Sequence, residues 1–171
     1  INKKKSTIKN VIFGKNVTVI EPVNLYECTI GDNCFIGPFV EIQKNVKIGK
    51  NTRIQSHSFI CSNVKIGNDC FIGHGVNFTN DKFLKNKTLK SDFLTTILKD
   101  KVLVGSNSTI LPVKIDKKVV IGAGSVVVKD VEPESTVVGI PGRVVDKSGV
   151  KVNPLAHSAL PDTEADVILN L

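Results

Sequence analysis

From Ile30 to Asn77 the chain divides, in one unbroken register, into eight units of six residues: IGDNCF, IGPFVE, IQKNVK, IGKNTR, IQSHSF, ICSNVK, IGNDCF and IGHGVN. Each opens with Ile, at Ile30, Ile36, Ile42, Ile48, Ile54, Ile60, Ile66 and Ile72. Each has a small or β-branched residue in fifth place: Cys34, Val40, Val46, Thr52, Ser58, Val64, Cys70 and Val76. A period of six is neither the 3.6 of an amphipathic helix nor the alternation of a lone strand. With the first and fifth places inward, each unit is a short strand followed by a turn. Gly, Asn and Asp near the turn supply the permissive backbone. Three units close a triangular coil, and successive coils lie ~4.8 Å apart, hydrogen-bonded as parallel strands. The expected fold is all-β, a parallel β-helix of hexapeptide repeats.

The pattern continues less regularly on both sides. Upstream are FGKNVT from Phe13, VIEPVN from Val19 and the five-residue LYECT from Leu25. Downstream are LKDKVL from Leu98, VGSNST from Val104, the short ILPVK from Ile110, IDKKVV from Ile115 and IGAGSV from Ile121. About six coils are expected over residues 1–145. Between the runs lies an excursion, about residues 79–97, with roughly fourteen more residues than the repeat needs. An excursion of that length from a solenoid is often functional. Beyond Val145 the pattern is lost. Residues 146–171 read either as a cap on the open end of the helix, whose strand edges need cover, or as a flexible tail. His157 lies there and takes no role.

Few aromatics and no Trp leave the core to Ile, Val and Leu. No apolar run approaches the ~20 residues of a membrane span. No signal peptide is visible, although the chain opens on Ile and holds no Met. The net charge of +7 reads as a solvated lysine surface or as a partner for an anionic ligand. Basic clusters interleaved with aromatics, the mark of single-stranded nucleic-acid binding, are absent. A small phosphorylated molecule is the better anionic partner. Cys28, Cys34, Cys61 and Cys70 form no CxxC pair. Cys34 and Cys70 share an interior column with Thr52 between them, ~9.6 Å apart by the strand spacing, too far for a disulfide. Free thiols fit a cytoplasmic protein.

Two of the three histidines fall inside the repeat, His57 fourth in its unit and His74 third in the unit eighteen residues on. Both are expected to face outward near one corner of the prism, as neighbours one coil apart. A neutral His accepts a proton near pH 7. The spacing provides no metal-ligand triad, so no metal is expected.

The segment KIGKNTRIQSHSFICSNVKIGNDCFIGHGVNFTND resembles nucleotide-sugar N-acetyltransferases of the dTDP-3-amino-3,6-dideoxyhexose type. The later VGSNSTILPVKIDKKVVIGAGSVVVKDVEPESTVVGIPGRVV is similar to coenzyme A-dependent hexapeptide acyltransferases in general. The resemblance covers about Phe13 to Val145. It implies a left-handed hand for the coil, a homotrimer, acetyl-CoA as acyl donor, and a nucleotide-linked amino sugar as acceptor. It implies that His57 is the base or amine-orienting group, with His74 second or positioning the substrate. Asn80 and Asp81 match the F-x-N-D stretch that reaches toward the sugar or the neighbouring subunit. Gly105, Gly122 and Ala123 would leave room for the pantetheine arm, and Lys129 and Arg143 would meet the coenzyme phosphates. Two departures stand out. Lys82, Phe83, Leu84 and Lys85 replace the usual aromatic, Pro and Arg after F-x-N-D, and ILPVK lacks the Gly usual after Pro. O-acetylation of a small sugar or serine, and acetylation of a UDP-linked amino sugar, remain open. So does a non-catalytic scaffold, although the varied outward columns lack the repeated Thr of an ice-binding face.

Overall fold

A computed structural model describes residues 7–82 and 94–145. Expectations for residues 83–93 and for the extension 146–171 lie outside the described residues. The rest is built from strands of two or three residues in three sheets. The first sheet has seven strands, from Ile8–Lys9 to Val126–Val127, and the second has six, from Ile12–Phe13 to Lys114–Ile115. The third has eight, running from Thr18–Val19 to Thr136–Val138 and closed by Arg143–Val145. Within each sheet successive coils pair in parallel, except that Arg143–Val145 turns back antiparallel on Thr136–Val138.

The repeat explains this architecture residue by residue. The opening Ile of every unit enters the prism, and Ile30, Ile36, Ile42, Ile54, Ile60 and Ile72 are fully buried. The registers Ile36↔Ile54 and Ile54↔Ile72 stack like on like, one coil apart. Full burial of one such side chain is worth about 1.5–3 kcal/mol. The fifth-place residues line the interior beside them. Thr52 lies between Cys34 and Cys70 as expected, its hydroxyl donating to Gly67 O (3.0 Å) and accepting from Cys70 N (3.2 Å). The thiols are free and buried. Burial is the leading cause that pushes Cys61 up to about 12 and Cys28 and Cys70 up to about 11.

The fourth place of the units carries a positive φ. Asn33, Asn45, Asn51, Asn63 and Asn107 hold it between 55° and 68°. Asn tolerates this left-handed backbone better than other side chains with a Cβ. Between the second and third sheets these turn residues also form a ladder, Asn33 Nδ2 to Asn51 Oδ1 (3.1 Å) and Asn51 Nδ2 to Asp69 Oδ1 (2.9 Å).

Counting the strands corrects one expectation: there are about seven coils instead of six. The coil begins at Ile8–Lys9, ahead of the first recognisable unit, and Val131 to Val138 adds a last turn whose Glu-Pro-Glu sequence hides the period. The two five-residue units each shorten a coil by one residue, so Phe13 pairs with Ile30 and Val104 with Ile121, seventeen positions apart. The excursion is absorbed at a single corner. Val64 pairs with Thr96 and Ile72 with Val104, thirty-two positions apart, the eighteen of a coil plus fourteen.

Candidate functional site

The prism has three corners, and the candidate residues divide between two of them. The corner from the third sheet to the first carries two adjoining columns, traced by hydrogen bonds between coils. His57 N donates to Pro38 O, Gly75 N to Ser56 O, Asn107 N to His74 O, and Gly124 N to Ser106 O. One column is therefore Pro38, Ser56, His74, Ser106 and Ala123. The other is Phe39, His57, Gly75, Asn107 and Gly124.

His57 and His74 share this corner and are both exposed, as expected, but they occupy different columns. The residue beneath His74 is Ser56, not His57. His74 Nδ1 lies 2.8 Å from Ser56 Oγ, and the His74 backbone N–H donates to Ser106 Oγ at 3.2 Å. The ring is held from below and its backbone from above. With Nδ1 engaged, Nε2 is the nitrogen left for a ligand. When Nδ1 carries the proton and donates to Ser56, Nε2 holds the lone pair of a base. His57 instead stacks on Phe39, with ring centroids 4.7 Å apart and planes inclined by 30°. Both have left-handed backbones, φ 63° for His57 and 60° for Phe39, which cost roughly 1–2 kcal/mol each in a residue with a Cβ.

The glycines of this corner serve two purposes. A Cβ on Gly73 would lie 2.7 Å from Ser106 N, and one on Gly105 would meet the backbone of Ala123 still more closely. These positions are glycine so that coils can stack. The space expected at Gly105 for a pantetheine arm is filled by the next coil, and Gly122 is buried. The open positions are Ala123, which is exposed, and Gly124, around whose missing side chain no atom of the described residues beyond its chain neighbours lies within 4 Å. From inside, Ser58 Oγ donates to Gly73 O (2.8 Å) and Ser108 Oγ donates to Gly122 O (3.0 Å), fixing the glycine turns.

Asn80, Asp81 and Lys129 belong to the next corner, between the first and second sheets. Asn77–Phe78 separates the first two from His74. Asn80 O accepts from Leu94 N at 2.9 Å, which closes the base of the excursion. Thr79 Oγ1 and Thr96 Oγ1, at its exit and re-entry, are buried without a hydrogen-bond partner among the described residues. Lys129 is exposed two coils further along the same corner. Arg143 is exposed in the returning strand opposite Val138. Among the described residues no group of three His, Cys, Asp or Glu side chains could hold a metal ion, and no helix is long and apolar enough to cross a membrane.

Sequence reasoning missed Ser56, Phe39 and Gly124. Ser56 was within reach, since counting one coil back from His74 lands on it.

Two family models match, one on each side of the excursion: bacterial transferase hexapeptide (six repeats) over residues 27–62, and hexapeptide repeat of succinyl-transferase over residues 96–129. A serine acetyltransferase of Synechococcus elongatus is 54% identical over 72 residues, 42% of this chain and 30% of that protein. The chain thus spans about a third of the length of the curated relatives it matches. Among solved structures, a hexapeptide-repeat acetyltransferase of Vibrio cholerae complexed with acetyl coenzyme A superposes with a TM-score of 0.62 at 25% identity, covering 68% of this chain and 69% of that one. An N-acyltransferase of Bacillus cereus, in complex with dTDP and coenzyme A, shares the fold with a TM-score of 0.64 at 23% identity, covering 81% and 84%. The repeat, the three parallel sheets and these matches agree with a left-handed coil, and residues 27–62 and 96–129 carry hexapeptide repeats of the bacterial transferase type.

Proposed function

We propose that the chain is an acyl-CoA-dependent acyltransferase that moves an acetyl group to the amine of a nucleotide-linked amino sugar. The observation that carries the reading is His74 hydrogen-bonded through Nδ1 to Ser56 at an exposed corner, with no partner for its other nitrogen among the described residues. The amine attacks the thioester carbonyl carbon, and a tetrahedral oxyanion forms. His74 Nε2 takes the proton that the amine loses, the C–S bond breaks, and the leaving thiolate recovers a proton. Of the two histidines the base role is given to His74, because Ser56 orients its ring, whereas His57 is held by its stacking contact with Phe39. The donor passes the open edge at Ala123 and Gly124 on its way to His74. Lys129 and Arg143 supply cations for the coenzyme phosphates. Asn80 and Asp81 hold the sugar from the neighbouring corner.

Coenzyme A or acetyl-CoA bound in structural neighbours supports the donor, and dTDP bound in one of them supports the acceptor class. We further propose a homotrimer in the cytoplasm. The outward column of the third sheet, Phe35, Arg53, Phe71, Leu103 and Val120, is mostly apolar and suits a subunit contact.

A second reading, O-acetylation of serine, is favoured by the local identity to serine acetyltransferases. Thiol release from acetyl-CoA, measured against dTDP- and UDP-linked amino sugars and against L-serine, decides between them. Turnover with an amino sugar supports the first reading. Turnover with serine alone replaces it with the second, and no turnover with any acceptor overturns both.

A further inference from the structure

The turn places of positive φ are filled by Asn in seven described coil turns: Asn10, Asn16, Asn33, Asn45, Asn51, Asn63 and Asn107. Others hold Gly, Asp, Glu or Lys. Two of the described ones carry a ring, Phe39 and His57, and those two are consecutive in one column and stacked on each other. Nothing in the turn itself calls for a ring. Phe is a poor occupant of this backbone, and its side chain is left 57% exposed, so burial in the core does not offset the strain. A strained, exposed aromatic is an observation that points toward a ligand.

We propose that Phe39 and His57 form an aromatic shelf that takes the planar base of the nucleotide-linked acceptor. The proposal rests on the acceptor class named above and deepens it. Three features place the base there. The shelf is on the same corner as the reactive histidine, because Pro38, Ser56 and His74 are the chain neighbours of Phe39, His57 and Gly75. Gly75 itself sets no side chain over the His57 ring, and the Asn107 amide of the next coil reaches to the place a Gly75 Cβ would take, so a polar amide bounds the shelf on the side of His74. The shelf also continues along the corner away from His74 and away from Ala123 and Gly124, where the donor is placed. An acceptor with its amine at His74 therefore lays its far end on the shelf, while the donor approaches from the opposite direction. Stacking accepts any base, since every base has a π-face. The shelf thus confers affinity for a nucleotide over a free sugar, with little choice between thymine and uracil.

The test is calorimetric titration of dTDP and of UDP into the full chain and into Phe39→Asn, the residue that other turns carry at this place. A conserved Tm confirms that the variant folds. His57→Asn serves as a second variant. The expected result is a Kd for both nucleotides that rises about 5- to 100-fold in either variant, the range of base–aromatic stacking, with the Kd for coenzyme A unchanged. An unchanged nucleotide Kd overturns the shelf. So does a rise confined to coenzyme A, which would assign the rings to the donor's adenine. A shift in oligomeric state with nucleotide binding intact also overturns it, making Phe39 a subunit contact. These readouts need no turnover. Shelf-dependent nucleotide binding without acetylation of any amino sugar would sink the proposed reaction and leave the shelf. Acetylation with a Phe39-independent nucleotide Kd would do the reverse.

Discussion

His74 rests Nδ1 2.8 Å from the hydroxyl of Ser56, a residue eighteen positions earlier and one coil below. The contact converts a turn histidine into an oriented one, because the ring can no longer present Nδ1 to a ligand. If His74 is the base, His74→Ala lowers kcat by roughly 100- to 10,000-fold, the usual worth of general base catalysis. Ser56→Ala keeps the base and loses its orientation, so the expected loss is smaller, about tenfold, the worth of one hydrogen bond. A structural role for Ser56 would move Tm. A positioning role moves the pH dependence of kcat instead, and thiol-release assays across pH 6–9 in both variants separate the two.

The corner glycines make a paired prediction. Gly105→Ala forces a methyl against the backbone of Ala123 and destabilises the fold by about 1–3 kcal/mol, the usual cost of overpacking. Gly124→Asn puts a side chain into open space on a backbone that Asn tolerates, so Tm stays within a few degrees. Its expected effect is a raised KM for acyl-CoA with little change for the acceptor. Thermal melts and initial-rate kinetics on the two variants check both halves.

Two buried threonines should respond oppositely to the same substitution. Thr52→Val removes the acceptor of Cys70 N–H and is expected to cost about 1–3 kcal/mol. Thr96→Val removes a hydroxyl that has no partner among the described residues, and is expected to be neutral or stabilising. Urea denaturation of both variants reads the signs directly.

The cysteines predict a limit in alkaline solution. Their pKa values in the fold stand above the ordinary 9.0, at about 11 for Cys28 and Cys70 and about 12 for Cys61, chiefly through burial. Between pH 9 and these values the folded chain holds protons that the unfolded chain has released. Stability is therefore full below pH 9 and falls as pH rises toward 11–12. Denaturation midpoints at pH 8 and pH 10.5 should show the decline. Cys→Ser changes at Cys28, Cys61 and Cys70 should flatten it. At pH 8 the native chain should react slowly with a thiol reagent, and all four thiols should react on unfolding.

The inward columns were legible because the first place of each unit is chemically uniform. Ile36, Ile54 and Ile72 announce their stacking by spacing alone. The extra coil was less legible, since Ile8 and Val137 sit in units without a clean period. The histidine corner was legible as a corner but not as a set of contacts. His57 and His74 differ by one place within their units, and that offset decides whether a ring meets another ring or a hydroxyl. Which glycines are open was not legible, because Gly105 and Gly124 look alike until the next coil is laid on top.

The excursion enters and leaves at one corner, and pairing resumes beyond it in register, Val64 with Thr96 and Ile66 with Leu98. The coils on either side are therefore indifferent to how long the inserted segment is. Closure entropy grows slowly with length, by about 0.6 kcal/mol for each doubling of an inserted segment. Lineages descending from such a protein are free to lengthen, shorten or exchange that segment while the prism beneath it stays as it is. On the proposed reading, with Asn80 and Asp81 at the base of the excursion meeting the sugar, acceptor preference drifts over generations without putting folding at risk.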